Sequence, residues 1–416
     1  GIATCHGRTT CGWTAAEAGE ELYEAAADCL PRNAEIELPF EPGEVADNLR
    51  LERYTQRWSK SWAIGIYYRV RPLLPVALRR LLQLSYHRGW KNLSFPDWPV
   101  DRSVDSFFTR LMALRLRHGP AEIPFVWFWP QGCNGCVIVT HDVETSRGRD
   151  FTARLMEVDQ SFGFRSLVLV VPEARYEVPE SFLAGIRERG FEVGVHGLNH
   201  DGRLFEDRHE FLRRARLINQ YGQRFGARGF RSPVMYRNPD WMEALDFDYD
   251  LSMPNVAHLD PQRGGCCTVM PYFIGRLVEL PLTTVQDYAL FHLLKDYSTD
   301  LWKQQIGAIL DSHGLVTVLS HPDYLRSERP MSVYKGLLEH LRSLGEERRL
   351  WFALPGQVER WWRQRSRMRL TPAAAGWRIE GKGSERACLA VAALDGDRVV
   401  YELQPHTEAP AASAGG

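Results

Sequence analysis

The chain has 416 residues, 44% of them hydrophobic and 25% charged, and its 51 Lys and Arg nearly balance its 52 Asp and Glu. That length exceeds one ordinary domain and suffices for two or three. A formal net charge of −1 gives no electrostatic case for nucleic acid as the partner, and no run of eighteen apolar residues offers a transmembrane segment.

Residues 1–132 read as a mainly helical N-terminal accessory region. Its Gly-, Thr- and Cys-rich start is expected to be poorly ordered. Thr14–Leu30 carries helix signals, with Thr14 as N-cap and Glu17 three residues on. A second helix is predicted over Pro75–Tyr86, with Leu78, Leu81, Leu82 and Leu84 on or near one face and Arg79 and Arg80 on the other. The surrounding stretch, residues 58–84, is aromatic and basic, a composition compatible with peripheral membrane contact. Its interruption by Pro72 and Pro75 favours packing against the following domain instead. A third helix is expected at Ser103–His118, and Pro124–Pro130 reads as an apolar extended segment leading into the main domain.

From Cys136 the pattern changes to short β-branched runs alternating with longer helical patterns. Strands are predicted at Val137–Thr140, Leu167–Val171, Glu192–Val195, Gly229–Arg231, Tyr249–Leu251, Leu277–Leu280, Val316–Ser320 and Leu350–Leu354. Helices are predicted at Thr152–Phe162, Glu180–Arg189, Arg208–Phe225, Trp241–Leu245, Thr299–Ser312 and Met331–Leu344. This rhythm implies parallel strands, and polar residues at their C-terminal ends imply a barrel rather than an open sheet. The fold class is therefore α/β: a (β/α) barrel of seven or eight strands over residues 133–365, with an open doubly wound sheet as the alternative. No G-x-G-x-x-G follows the first strand, which argues against dinucleotide binding. Residues 366–416 alternate apolar and polar positions as far as Leu403, predicting a small antiparallel β unit with a disordered tail.

The eight Cys include a C-x-x-C at Cys133 and Cys136, but no second such pair completes a zinc ribbon. Unpaired reduced thiols are the expectation, and they favour a cytoplasmic setting. An exported form is the alternative, because the first residue is Gly rather than Met. Thirteen Trp suit either stacking on sugar faces or filling cores.

Five polar clusters sit at strand ends: Thr140-His-Asp-Val-Glu144, His196-x-x-x-His200, Arg231-Ser-Pro-Val-Met-Tyr236, Asp246-Phe-Asp-Tyr-Asp250 and Ser320-His-Pro-Asp-Tyr324. In a parallel barrel every such end opens on one mouth, so clusters far apart in sequence converge. The two imidazoles at 196 and 200, four residues apart on one helical turn, would point the same way and suit a divalent metal. Asp142 and Glu144, two apart on an extended strand, also point the same way. Asp287, after the sixth strand, is a further candidate for the mouth; His209, His258, His292 and His313 have no partner pattern.

In these five clusters, over about residues 133–365, the chain resembles the polysaccharide deacetylase superfamily, the NodB-homology or family-four carbohydrate esterases. The motifs of that family are matched in order by THDVE, HGLNH, RSP, FDYD and VLSH. The resemblance implies a distorted (β/α) barrel and a hydrolase acting on non-peptide carbon–nitrogen bonds, with a carbohydrate substrate. It implies His196 and His200 as metal ligands, Asp142 as base, His321 as acid and Arg231 as the orienter of Asp142. It also implies tuning of His321 by Asp248 or Asp250; Tyr236 and Asp287, from their positions in the chain, are further candidates for substrate binding or tuning. Where the commonest motif has adjacent carboxylates, Val143 here separates Asp142 from Glu144. Glu144 takes the ligand position on that register, with Asp142 itself or His141 as alternatives. The implied cofactor is a divalent metal, zinc first, with cobalt, nickel or manganese accepted by the same donors. Two other functions fit the same residues: a metal-free hydrolase of another carbon–nitrogen bond, and a catalytically degenerate carbohydrate-binding component of polysaccharide biosynthesis.

Overall fold

The computed structural model describes residues 40–55, 89–373 and 376–404, together with residues 38, 74, 75, 78, 82 and 85–87. The predicted helix Thr14–Leu30, most of 58–84 and the tail after 404 lie outside the described residues.

The accessory region contributes α1 (Pro42–Arg50) and α2 (Ser103–His118). Proline at the start of α1 loses no helical hydrogen bond, because the first N–H groups of a helix have no partner anyway. Beyond α1, Glu52 accepts from the fully buried Arg237 guanidinium, Nε to Oε2 at 2.9 Å, which fastens this region to the main domain. β1 (Glu122–Val126) follows α2.

The main domain then runs β2 (Gly135–Val143), α3 (Ser146–Ser161), β3 (Leu167–Val170), α4 (Glu180–Glu188), β4 (Glu192–His196), α5 (Arg208–Phe225), β5 (Gly229–Arg231) and β6 (Tyr249–Asp250). It continues with β7 (Tyr272–Ile274), β8 (Leu277–Glu279), α6 (Asp300–Leu310), β9 (Leu315–Ser320), α7 (Glu328–Arg348), β10 (Leu350–Phe352) and α8 (Pro355–Arg365). Side-chain chemistry sets several boundaries. Thr145 caps α3 by accepting from Gly148 N, so this helix begins at Ser146 rather than at the predicted Thr152. Asp207 caps α5 through Glu210 N, and Gly226, in the left-handed region, ends it. The predicted helix at Trp241–Leu245 is instead a 3-10 turn, Pro239–Ala244.

The strands pair in the order β9–β2–β3–β4–β5–β6–β8, all parallel, with β7 antiparallel on β8 and β10 alongside the first residues of β2. This curled sheet is the barrel that the β–α rhythm predicts, distorted as the resemblance implies. No described ladder joins β8 to β9. The seam is bridged by Thr283, whose hydroxyl donates to Leu315 O at 2.8 Å and accepts from Thr317 N at 2.9 Å, and by Thr284, which donates to Thr317 O at 2.8 Å.

All nine residues of β2 are buried, as expected for a central parallel strand covered on both faces. Val137 and Val139 pack towards α6 and α7, whereas Ile138 packs inside the curl with Leu167, Leu169, Tyr249 and Leu280. Successive side chains alternate, so Thr140 and Asp142 follow Ile138 inward and His141 follows Val139 outward.

The C-terminal unit holds β11 (Arg369–Ala373) and β12 (Gly376–Glu380) as a hairpin, with β13 (Leu389–Asp395) and β14 (Arg398–Leu403) beside β1 in a three-stranded antiparallel sheet. A strand from the N-terminal side thus completes the C-terminal unit, which the sequence reading kept as separate zones. Cys133, Cys136, Cys266, Cys267 and Cys388 are free thiols. Among the described residues, no helix is long and apolar enough to cross a membrane.

Candidate active site

The inward parity of β2 delivers Asp142 to the mouth beside the end of β5. Arg231 is fully buried and donates from Nη1 to Asp142 Oδ1 at 2.8 Å and to Thr140 Oγ1 at 3.0 Å, and from Nε to Leu251 O at 3.1 Å. Burial raises the Asp142 carboxyl, but Arg231, with His196 and His321, outweighs it and the net shift is downward. Asp142 is therefore held ionised within a fixed guanidinium contact.

His196 ends β4 and its Nδ1 donates to Arg231 O at 3.1 Å, which turns Nε2 into the site. The chain does not continue as a helical turn to His200, as the spacing suggests. Gly197 takes φ 63° against the Pro233 ring, where any Cβ would overlap, and His200 itself takes φ 54°. A left-handed His is strained, and such strain concentrates at functional positions. The outcome is two facing imidazoles, their centroids 5.0 Å apart. Glu144 Oε1 lies 2.8 Å from His200 Nε2, and one ligand atom from each of Glu144, His196 and His200 falls within 4.8 Å of the others. Both Nε2 atoms are buried and lack a well-directed hydrogen-bond partner. Orphaned buried imidazole nitrogens beside a carboxylate are the donor set of a divalent metal, so these residues fit the implied ion. Burial depresses His196 to about 4, which leaves it neutral at physiological pH and able to ligate. Burial raises Glu144, but His200 outweighs it and the carboxyl ends well below its usual range.

His321, just beyond β9, closes the other side. Its Nδ1 donates to Asp287 Oδ1 at 2.6 Å and its backbone N to Asp287 Oδ2 at 2.7 Å. Burial alone lowers this imidazole, but Asp287 outweighs it and the pKa rises to about 10. Its Nε2 sits 3.7 Å from Glu144 Oε1, as His196 Nε2 sits 3.6 Å from Asp142 Oδ2. The order across the site is thus Arg231, Asp142, the Glu144/His196/His200 set, His321, Asp287.

Other sequence-predicted residues lie elsewhere. Asp248 is partly exposed and pairs with Arg228, away from His321, because it precedes β6 rather than following it. Asp250 is buried but accepts from Ser252 Oγ at 2.7 Å and faces Glu279 across the β6–β8 pair. Neither touches His321; the carboxylate beside it is Asp287. Tyr236 is buried in the hydrophobic cluster with Phe230 and Met242 rather than lining an open surface. His141 is no ligand, because strand parity turns it outward. Its Nδ1 meets Ser320 Oγ at 3.0 Å and its Nε2 meets Asp159 Oδ2 at 2.8 Å, while Asp159 also accepts from Ser166 Oγ and Tyr334 OH.

Sequence reasoning gave no role to Asp323, Tyr176 or Tyr324. Asp323 accepts from Glu144 N at 3.3 Å and from the Thr145 hydroxyl, so the loop after β9 clamps the loop carrying Glu144. Tyr176 OH donates to Val143 O at 2.6 Å and pins the end of β2. The Tyr324 ring lies 5.0 Å from His321. The run Ser320–Tyr324 was a signal for Asp323 and Tyr324; nothing local marked Tyr176.

No family model matches the sequence, and no curated protein matches it. Among solved structures, the chain is similar to a candidate polysaccharide deacetylase from Mycobacterium smegmatis, with TM-score 0.47 and 18% identity over 57% of this chain and 93% of the other. It is similar to Puue allantoinase, with TM-score 0.43 and 14% identity over 56% and 92%. It is also similar to a family 4 carbohydrate esterase from Streptomyces lividans in complex with acetate, with TM-score 0.34 and 14% identity over 51% and 91%.

Proposed function

We propose that the chain is a metal-dependent hydrolase that removes N-acetyl groups from a sugar or polysaccharide. The observation that carries this reading is the placement of an ionised carboxylate and a protonated imidazole on opposite flanks of one metal-ligating set. Glu144, His196 and His200 would hold the ion, which when bound supplies Lewis-acid polarisation of the amide carbonyl. Zinc is the first choice, and cobalt, nickel or manganese suit the same donors.

The chain's own residues supply the proton transfers. Asp142, fixed by Arg231, takes a proton from the attacking water. The water oxygen bonds to the acyl carbon, the carbon–nitrogen bond breaks, and His321 gives its proton to the departing nitrogen. Asp287 keeps that proton on His321 until it is needed, because the ion pair favours the charged imidazole. The products are acetate and a free amino sugar, and both proton carriers then reset with bulk water.

The test is acetate release from N-acetylhexosamine oligomers by chain loaded with Zn²⁺ or Co²⁺, with metal content measured in parallel. Acetate release that is lost in Asp142→Asn supports the reading. A chain that binds no metal and releases no acetate overturns it.

A further inference from the structure

The His321 flank of the mouth ends in a wall of rings. The Tyr324 ring lies 5.0 Å from the His321 imidazole, and the His292 imidazole lies 4.9 Å from Tyr324. Tyr288 completes the group, its ring 5.6 Å from Tyr324 and 5.3 Å from His292. All three are partly exposed, unlike the large aromatic residues of the core. The proton transfers proposed above use none of them.

Two loops hold the wall to the site. After β9, Tyr324 N donates to His321 O at 3.0 Å, a turn that folds the Tyr324 ring back beside the imidazole. After β8, Tyr288 N donates to Asp287 Oδ1 at 2.8 Å, so the carboxylate that holds His321 also fixes the start of the next segment. That segment is a single π-helical turn, Ala289–Leu293, with Leu294 N donating to Ala289 O at 2.9 Å. Such turns are rare and recur at functional positions. Tyr288 and His292, four apart, come to the same side of it. The Tyr324 hydroxyl has no hydrogen-bond partner among the described residues. Burial, then the Glu144 and Asp287 carboxylates, raises it well above the usual phenol range, so it keeps its proton and stays a donor.

We infer that Tyr288, His292 and Tyr324 form a subsite for a pyranose ring, with the Tyr324 hydroxyl donating to a substituent of that ring. The C–H face of a sugar packs on aromatic rings, and a few placed polar groups orient it. Which half of the substrate lies there rests on the function proposed above; the capacity to hold a sugar does not. His321 protonates the departing nitrogen, so the sugar that keeps this nitrogen sits on the His321 flank, against the wall. The subsite therefore takes the amine half of the amide and favours a sugar over an acyclic amine.

The test is calorimetric titration of the full chain, Zn²⁺-loaded and metal-free, with glucosamine trimer, alongside saturation-transfer NMR of the sugar. Binding is expected in both forms, with saturation passing to the C–H protons of one ring face. Tyr288→Ser/His292→Ser is expected to weaken binding about tenfold, and Tyr288→Phe/His292→Phe to keep it. Tyr324→Phe leaves every ring in place and is expected to weaken binding about fivefold, the worth of one hydrogen bond. Metal content is expected to match wild type in all three variants. In acetate release, the kcat/KM advantage of N-acetylglucosamine trimer over N-acetylethanolamine is expected to narrow about tenfold in the Ser variant. Trimer binding by a chain that releases no acetate would uphold the subsite and sink the catalytic reading alone. No binding of the trimer, or equal binding by wild type, the Ser variant and Tyr324→Phe, would overturn the inference.

Discussion

His321 and Asp142 are both fully buried, and each is held in the charge state opposite to what burial alone would impose. For His321 the agent is Asp287, so Asp287→Asn is expected to lower the imidazole pKa. The alkaline limb of the pH–rate profile, which reports loss of the protonated acid, then moves to lower pH, and kcat falls. A profile unchanged in shape would assign the acid to another group. Asp142→Asn removes the proton acceptor but leaves Glu144, His196 and His200 in place. It is expected to reduce kcat by about 10²–10⁴, while metal content by elemental analysis stays at the wild-type level. These residues differ in how well they can be read from sequence. His196, Asp142 and His321 stand at strand ends, where parity and position define their direction. Asp287 reaches His321 across 34 positions of sequence, and Asp248 and Asp250, before it in the chain, compete for the same role when only the sequence is read. The pairing was visible only in three dimensions.

The same limit governs whole elements. Helices and strands with long, regular periodicity were legible: α2, α5 and β5 have the predicted bounds. The hairpin strand β7 was not, because Tyr272–Ile274 is three residues long and its turn rests on Gly275 at φ 55°. The start of α3 was also missed, and there the cap is part of the site. Asp323 binds the Glu144 N–H and the Thr145 hydroxyl at the helix entrance, and a Cβ on Gly148 would fall within the Asp323 carboxylate. Gly148→Ala is therefore expected to displace Asp323 or the entrance of α3, and Glu144 with it. A loss of about 1–3 kcal/mol in stability is the usual cost of such overpacking. The more telling result is weaker metal affinity by titration, with the helix still formed by circular dichroism. Unaltered metal affinity would mean that Asp323 does not position Glu144.

For the whole molecule, the long-range joins were the illegible part. β1 pairs with β13 across most of the chain, and Arg237 reaches back to Glu52. No local periodicity encodes either contact. The candidate metal site of Glu144, His196 and His200 is another long-range join, linking the ends of β2 and β4. An ion bound there but not by the unfolded chain stabilises the fold by mass action, about 2.7 kcal/mol at a hundredfold excess over Kd. Zn²⁺ is expected to raise the thermal midpoint of the wild-type chain and to leave that of His196→Ala/His200→Ala unmoved, by scanning calorimetry.

The buried Asp250–Glu279 pair sets the opposite end of the stability profile. The two carboxyls face each other across β6 and β8, and Glu279 Oε2 has no donor in reach although Oε1 accepts from Met253 N at 3.0 Å. Burial, then the charge of Asp250, pushes Glu279 well above the usual carboxylate range, so Glu279 carries the proton that bridges the pair. A carboxyl raised on folding stabilises the fold below its unfolded pKa, and that stability is lost as pH rises towards the folded value. His321 acts in the same sense, its contribution complete below the ordinary imidazole range and lost as pH rises through about 10. Asp142 and Glu144 act in the reverse sense, because their depressed carboxyls lose stability as pH falls. Glu279→Gln keeps an acceptor for Met253 N and presents an amide N–H to Asp250, imitating the protonated acid without a proton to lose. Metal-free Glu279→Gln chain is therefore expected to be more stable than wild type at about pH 8, by roughly 1–2 kcal/mol, with the advantage vanishing near pH 4. Urea unfolding at the two pH values reads this directly, and an advantage that does not depend on pH would show that the proton is not shared.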